Sequence, residues 1–285
     1  MKTTVVSPRG KELIIGDNAP TALIGERINP FGKGPLKEAL LSGVMEPIRE
    51  EALKQVVGGA DILNVSVNAF GIDEGLVLPR VISEIIKAVD VPLCLESRIP
   101  VALEETLKIG CGKPIISSVT GEDRILDEIL PLVRKYSTVV VALASDASGI
   151  PKEPSKRLQI IRRIIDRTDK MSIPREDILV DCIAESNAVN DRAAIVTLET
   201  MEIVKRDLGL NLVLGASNVS FGLPNRTVIN SIFISIAIQA GLTCAIVNAA
   251  KMKPYTMAAD LLLGRDPWAR QYVTYYRRLK SVAPH

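Results

Sequence analysis

The chain has 285 residues, of which 47% are hydrophobic and 24% are charged. Its 35 Lys and Arg residues nearly balance its 33 Asp and Glu residues, so the composition does not suggest the basic surface of a nucleic-acid-binding protein. The single histidine is His285, which excludes a Ser-His-Asp triad, a Cys-His dyad and a histidine-based metal site. Any chemistry therefore depends on carboxylates, amides, hydroxyls, Lys, Arg, Tyr or Cys, or on a cofactor.

The first predicted element is a β-hairpin. Thr4–Ser7 and Glu12–Ile15 lie on either side of Pro8, Arg9 and Gly10, and Pro and Gly between two apolar runs indicate a turn. We expect this hairpin to cover the bottom of a barrel.

Eight short apolar runs follow at intervals of about 30 residues, which predicts repeated β-α units and a parallel sheet. They are rich in Val, Ile and Leu without strict alternation, as is typical of strands that are covered on both faces. The predicted strands are Ala22–Ile28, Ile62–Val67, Pro92–Glu96, Pro114–Val119, Thr138–Ala144, Ile178–Ala184, Asn211–Ser217 and Cys244–Ala249.

Segments with helical periodicity lie between and after these strands. Glu122–Lys135 and Ser155–Arg167 are two of them, and Ser155 is the predicted N-cap of the second. Their apolar stripes are Ile125, Ile129, Leu132 and Val133 in the first and Leu158, Ile161 and Ile165 in the second. Further helices are predicted at Asn225–Ala240, Tyr255–Leu263 and Trp268–Arg278.

Eight β-α units favour an α/β fold, a closed (β/α)8 TIM barrel with the hairpin at its bottom. The alternative is an open doubly wound sheet, which would need a glycine-rich phosphate loop after a strand, and neither GxGxxG nor GxxxxGK[ST] occurs. Because no linker or change of composition divides the chain, we expect residues 1–285 to form one domain.

The four cysteines are scattered without CxxC spacing, which favours a reducing, cytoplasmic location and no metal held by this chain. The N-terminal segment has no apolar core of a signal peptide, and no stretch predicts a membrane span.

Polar residues follow almost every predicted strand, at the end where a barrel enzyme places its active site. They are Glu26, Arg27, Asn29, Asn64, Ser66, Asn68, Glu96, Ser97, Ser117, Ser118, Ser145, Asp146, Asp181, Ser217, Asn218, Ser220 and Asn248. Any one of them could cap a helix or join an internal hydrogen-bond network, but so many at one rim predict a ligand site. Asp181 is the clearest case, because a carboxylate in an apolar strand requires paired N–H donors such as those of a guanidine-like heterocycle.

Two segments resemble the pterin-binding methyltransferases, which move a methyl group between tetrahydrofolate and a corrinoid protein. They are Gly25–Pro30 and Gly215–Ser220, the second continued by Asn225 and Arg226. Pro92–Ser97, Ile115–Glu122 and the Val-Asp-Cys sequence at Asp181 are also similar to motifs of that family. The resemblance extends over nearly the whole chain.

The resemblance implies a role for eight residues. Asn218 matches the asparagine that hydrogen-bonds N5 of the pterin, and we expect it to be catalytic. The other predicted contacts of the pterin are Asp181, Glu96, Asn64, Ser117, Ser217, Ser220 and Arg226. Four segments depart from the family pattern. Asn64-Val-Ser66 replaces Asp-x-Asn, Glu96 replaces Asp, Ser117 replaces Asn, and Ala142-Leu-Ala-Ser-Asp146 replaces a polar run that follows Gly-Leu.

The function that the resemblance implies is methyl transfer between N5 of tetrahydrofolate or methyltetrahydrofolate and the cobalt of cobalamin. The cobalamin would be carried by a separate corrinoid protein, because this chain has no internal histidine to ligate cobalt. The alternatives are a dihydropteroate synthase-like enzyme and a non-catalytic pterin-binding protein. The resemblance also implies a homodimer that forms through the late helices.

Overall fold

The computed structural model of the protein describes residues 3–8, 10–30 and 34–282, and side chains as far as Leu279. Arg9 of the predicted turn and His285 lie outside the described residues. The chain begins with a two-stranded antiparallel sheet, β1 (Thr4–Val6) and β2 (Leu13–Ile15).

Eight parallel strands then close into a barrel, with the last strand paired to the first. This confirms the predicted (β/α)8 fold. The barrel strands are β3 (Ala22–Ile28), β4 (Ile62–Ser66), β5 (Leu93–Glu96), β6 (Ile115–Val119), β7 (Val139–Leu143), β8 (Ile178–Asp181), β9 (Asn211–Gly215) and β10 (Leu242–Val247).

Helices surround the barrel. They are α1 (Pro35–Ser42), α2 (Glu46–Val57), α3 (Glu74–Ala88), α4 (Pro100–Lys108), α5 (Asp123–Tyr136), α6 (Pro154–Lys170), α7 (Ala193–Leu208), α8 (Arg226–Gln239), α9 (Ala249–Leu262) and α10 (Arg270–Val282). Three 3₁₀ helices are Arg175–Asp177, Ala216–Ser220 and Pro267–Ala269. No helix within the described residues is long and apolar enough to cross a membrane.

The apolar stripes predicted for α5 and α6 are buried against the sheet, as expected. Two predicted helix starts were wrong. The N-cap of α6 is Glu153, not Ser155, and α9 begins at Ala249 rather than near Tyr255. Asn248 sets the start of α9, because its side-chain oxygen accepts a hydrogen bond from the backbone N–H of Lys251.

The hairpin covers the barrel bottom, as predicted. Val6 and Ile15 are fully buried in one cluster with the residues that fill the barrel interior. Asn211, the first residue of β9, donates its side-chain N–H to the Thr4 hydroxyl at 3.0 Å and to the Ile15 carbonyl at 3.1 Å. The apolar plug at this end leaves the opposite mouth as the place for a ligand.

Five barrel strands end earlier than predicted at that mouth: β4 and β7 by one residue, β9 and β10 by two, and β8 by three. β8 ends at Asp181 rather than Ala184, because the Asp181 carboxylate accepts the Ile183 N–H at 2.7 Å and Ile183 has a positive φ of 62°. β9 ends at Gly215 because the 3₁₀ helix begins at Ala216.

Candidate active site

The polar residues at the mouth form one layer of inward-facing side chains. Alternate residues of a strand point to the same face, and each barrel strand contributes one or two residues to the apolar interior cluster. In five of the strands, the residue two positions after an interior residue is polar. We call these five polar residues the upper layer. The interior residues are Ile24, Ile62, Cys94, Ile115 and Leu179. The upper layer consists of Glu26, Asn64, Glu96, Ser117 and Asp181.

Asn64 and Glu96 are joined within this layer. The Asn64 side-chain N–H donates to Oε2 of Glu96 at 2.6 Å. The other end of the amide, Oδ1 of Asn64, is buried and accepts no hydrogen bond from any described residue. A buried acceptor without a donor is costly, so a small side-chain movement that exposed this oxygen would let a bound ligand supply an N–H group.

Asp181 lies buried at the tip of β8, 9% exposed. Its carboxylate accepts hydrogen bonds from the backbone N–H groups of Ile183 and Gly215. Burial nevertheless raises the pKa of Asp181 to about 6, against the opposing effects of these bonds and of the Arg157 charge. The carboxylate is therefore held in position but under-solvated, and N–H donors from a ligand would stabilise its charged form.

Arg157 supports the loop after Asp181. This side chain is fully buried and donates to the carbonyls of Cys182 at 2.6 Å and Ile183 at 2.8 Å, and to the carboxylate of Glu185 at 2.8 Å. Sequence reasoning missed it. The signal was present, since Arg157 stands four residues before Ile161 on the buried stripe of α6, where an isolated charge is unexpected.

Asn218 lies in the 3₁₀ helix that follows β9 and is exposed. A Cβ atom added to Gly215 would come within 3.1 Å of its Nδ2 atom. The backbone N–H of Gly215 meanwhile bonds Asp181. Gly215 thus brings a buried carboxylate and an accessible amide to neighbouring positions at the mouth.

Ser217, Ser220 and Arg226 form a connected group around the same 3₁₀ helix. Arg226 donates through Nε to the Ser220 hydroxyl at 3.0 Å and through Nη2 to the Ser217 carbonyl at 2.8 Å. The Ser217 hydroxyl donates to Oε1 of Glu26 at 3.0 Å. This links the turn that carries Asn218 to the upper layer.

Glu26 was noted as a strand-end residue but was not among the predicted contacts of a ligand. Burial raises its pKa, and the bond from Ser217 and the charges of Arg226 and Arg27 act in the opposite direction. Its position two residues after the interior-facing Ile24 was the signal that could have identified it. Ser117, on β6, bonds the Cys94 thiol, whose pKa is raised by burial.

The family model of the pterin binding enzymes matches residues 27–248. The chain belongs to the pterin-binding enzyme family. The match covers barrel strands β4 to β9 entirely and includes every predicted site residue.

Two kinds of relative resemble this pterin-binding enzyme. It is 28% identical over 265 residues to the methylcorrinoid:tetrahydrofolate methyltransferase of Eubacterium limosum. The alignment covers 90% of this chain and 97% of that protein. It is 31% and 32% identical to the methionine synthases of Mycobacterium tuberculosis and Mycobacterium leprae. The chain spans about a fifth of those two proteins, with 21% and 20% covered.

Solved structures show the same fold. The dihydropteroate synthases of Yersinia pestis and Xanthomonas albilineans superpose with TM-scores of 0.68 and 0.69 over 92% of this chain. The superposed regions cover 100% and 98% of the two synthase chains, and the sequence identities are 15% and 16%. Within the described residues of the pterin-binding enzyme, no group of three or more His, Cys, Asp or Glu side chains could hold a metal ion.

Proposed function

We propose that this pterin-binding enzyme transfers a methyl group between N5 of tetrahydrofolate and the cobalt of a separate corrinoid protein. The observation that carries the proposal is the placement of Asp181 and Asn218 around Gly215. The Eubacterium limosum relative supports the reaction, because it has nearly the same length and is named a methylcorrinoid:tetrahydrofolate methyltransferase.

The upper layer is complementary to a reduced pterin. The 2-amino group and N3–H of the ring present two parallel donors, which a carboxylate such as Asp181 accepts as a pair. The unpartnered Oδ1 of Asn64 would accept a further N–H. We propose that Glu96, which already holds the Asn64 amide, and Ser117 complete the contacts along this edge.

Asn218 is proposed to act on N5. Breaking the bond between N5 and the methyl carbon leaves the electron pair on nitrogen, which then gains a proton, and the cobalt of the corrinoid supplies the pair for the new bond to carbon. In the reverse direction the N5 lone pair attacks the methyl group and N5 loses a proton. In both directions charge changes at N5, and an amide fixed beside it stabilises that change.

Ser217, Ser220 and Arg226 remain proposed contacts of the substrate. Their mutual hydrogen bonds give them a second task, which is to hold the 3₁₀ helix and so the position of Asn218. Holding a catalytic group such as Asn218 in a fixed orientation beside the reacting atoms increases the reaction rate.

The corrinoid protein is proposed to dock over the mouth, because its cobalt must reach N5. Three loops that follow barrel strands present exposed apolar side chains there, namely Phe70 at 95%, Val189 at 87% and Phe221 at 61% exposure. Exposed apolar side chains grouped at one end of a protein are typical of an interaction surface.

A homodimer is also proposed. Val228, Ile232 and Ile236 are half exposed, at 48%, 57% and 47%, and follow one another at four-residue spacing on the outer face of α8. Phe233 and Ala237 of the same helix face inward and are buried. Sedimentation of the protein with Ile232→Glu should show dissociation to monomers, and an unchanged mass would contradict this interface.

The four cysteines are buried thiols. They support the proposal of a reducing, cytoplasmic location.

The decisive assay follows the absorbance change between cobalt(I) and methylcobalt when free cobalamin is mixed with methyltetrahydrofolate and the enzyme. Transfer in either direction supports the proposal. Pyrophosphate release with p-aminobenzoate and a pterin pyrophosphate would instead support the dihydropteroate synthase-like alternative. Pterin binding without transfer to any corrinoid would support a non-catalytic pterin-binding protein.

A further inference from the structure

Arg157 joins two loops at the mouth of the barrel. Four of the five N–H donors of its buried guanidinium are used. Nε donates to the Pro151 carbonyl at 2.8 Å, in the loop after β7. The remaining three bonds, to Cys182, Ile183 and Glu185, all go to the loop after β8. A buried charge needs such partners, and here they are the residues that follow Asp181.

Ile183 transmits this contact to Asp181. Its φ of 62° is unusual for a β-branched residue. In this conformation its N–H donates to the Asp181 carboxylate at 2.7 Å, and its carbonyl accepts hydrogen bonds from Arg157 and from the Thr197 hydroxyl, both at 2.8 Å. The two donors hold the Ile183 peptide, and that peptide fixes the direction of the carboxylate.

The charge of Arg157 acts on Asp181 without a direct bond. Among the ion pairs of the described residues, Arg157 is paired with Glu185 and not with Asp181. Burial raises the pKa of Asp181 to about 6, and the Arg157 charge opposes that rise. A guanidinium bonded to the carboxylate would occupy the acceptor positions that a ligand needs. Placed behind the next peptides, it favours the charged form and leaves those positions free.

Few other charges act on Asp181. The residues paired with it on β7 and β9 are apolar. The thiol of Cys182 stays neutral, because burial raises its pKa. The upper-layer carboxylates Glu26 and Glu96 lie on β3 and β5, each three strands away around the barrel. Arg157 is therefore the charge that most directly favours the ionised form of Asp181.

A series of alternating charges leads from Asp181 to the surface. Glu185 accepts hydrogen bonds from Arg157 at 2.8 Å and from Nζ of Lys152 at 2.6 Å. The carboxylate of Asp146, also in the loop after β7, accepts hydrogen bonds within its own loop. Because Glu185 offsets the charge of Arg157, loss of the anion and loss of the cation should affect Asp181 in opposite directions.

We propose that Arg157 is a positioning residue for the substrate: it fixes the direction of the Asp181 carboxylate and places a positive charge behind it, while leaving the outer lone pairs to the ligand. The inference rests on the proposed function, because Asp181 is the carboxylate that is proposed to bind the pterin.

The test measures two quantities for the full chain. One is the titration midpoint of Asp181 in the ligand-free protein, followed by carbon NMR of the aspartate carboxyl groups, with its signal identified by its absence from Asp181→Asn. The other is the dissociation constant of tetrahydrofolate, measured by calorimetry over the same pH range. The variants are Arg157→Met, Arg157→Lys and Glu185→Gln. The matched control is Arg162→Met, on the same helix, which removes an exposed arginine paired with Asp207.

The variants should separate charge from geometry. Arg157→Met should raise the midpoint by about one pH unit, since a nearby cation is lost, and tetrahydrofolate binding should begin to weaken at a correspondingly higher pH. Arg157→Lys should leave the midpoint within about 0.3 units but weaken binding at high pH about threefold to tenfold, because an ammonium keeps the charge and loses the planar fork. Arg162→Met should change neither quantity.

Glu185→Gln should lower the midpoint by about 0.5 units, because the charge of Arg157 is then less offset. The glutamine keeps an oxygen that can accept the hydrogen bond from Arg157, so this variant should fold even if Arg157→Met does not. Tetrahydrofolate binding at high pH should stay within about twofold, since Asp181 is ionised there in both proteins.

Three results would overturn the inference. One is a midpoint that does not move, or that rises, in Glu185→Gln. Another is a midpoint in a folded Arg157→Met protein equal to that of the wild type, which would leave Arg157 as a support of the loop alone. The third is full high-pH affinity in Arg157→Lys, which would contradict the orienting role. If the midpoints move as expected but the wild-type protein does not bind tetrahydrofolate, the proposed function fails and the coupling of Arg157 to Asp181 stands.

Discussion

The lower and upper parts of the barrel interior are built from the same strands but are opposite in character. Ile24, Ile62 and Leu179 are fully buried members of the apolar interior cluster. Two positions further along, Glu26, Asn64 and Asp181 are polar, and one of them has an unpartnered atom. The lower part stabilises the barrel, and the upper part retains polar groups whose burial is unfavourable without further hydrogen-bond partners.

The largest expected effect comes from a change in the lower part. Ile24→Ala should lower the free energy of unfolding by about 2–5 kcal/mol, because it opens a cavity in a fully packed layer. Urea denaturation measures this. Pterin affinity per folded molecule should stay within about twofold, and a large loss of affinity in the folded fraction would show that the two parts are not separable.

Asn218→Ala should have the next largest effect, on rate alone. Removing a donor that stabilises developing charge costs about 10²–10³ in rate, whereas the exposed side chain contributes little to folding. Single-turnover transfer and pterin binding are measured on the same preparation. Equal losses of affinity and rate would contradict the role assigned to the amide.

Asp181→Asn should weaken pterin binding about 10- to 100-fold, the range for losing hydrogen bonds to a charged group. Calorimetric titration with tetrahydrofolate measures it. For the wild-type protein, affinity should also fall as pH drops below about 6, where the carboxyl becomes protonated. Affinity that is independent of pH between 5 and 8 would contradict this contact.

The same substitution should change how the stability of the ligand-free protein depends on pH. The folded-state pKa of Asp181, about 6, is raised from 3.8, so the wild type loses stability as pH rises from the unfolded-state value through 6, and this loss is absent below 3.8. The stability of Asp181→Asn relative to the wild type should therefore be about 2–3 kcal/mol more favourable at pH 8 than at pH 3.5, whatever the pH-independent cost of losing a carboxylate oxygen that accepts a backbone N–H. A gain that does not change with pH would contradict the buried charge as its cause.

Gly215→Ala is expected to give the smallest effect. The new Cβ would lie 3.1 Å from Nδ2 of Asn218 and displace the amide by a few tenths of an ångström. Transfer should slow about threefold to tenfold, because small misplacements of a catalytic group reduce rate. Gly10→Ala is the matched control, since its Cβ would meet nothing within 4 Å, and it should be neutral.

Much of this contrast could be predicted from the sequence. The eight strands were located to within a few residues because apolar runs in a parallel sheet are distinct from helical periodicity. Strand alternation also places Asn64, Glu96, Ser117 and Asp181 above apolar partners. The ends of β8 and β9 could not be predicted, because they depend on the bond from Ile183 to Asp181 and on the 3₁₀ helix at Ala216.

The remaining parts of the candidate site depend on packing between distant segments. Asn218 was identified through the resemblance, since an exposed amide in a turn has no periodic signal. The hydrogen bond from Arg157 to the loop after β8 forms only because α6 lies against that loop.

The most direct test is a crystal structure of the protein with a bound reduced pterin. The ring should lie in the mouth of the barrel, its amino edge within hydrogen-bond distance of Asp181 and Oδ1 of Asn64, and N5 beside Asn218. A ring bound elsewhere, or a mouth filled by the protein's own side chains, would contradict the assignment of the upper layer as the pterin site.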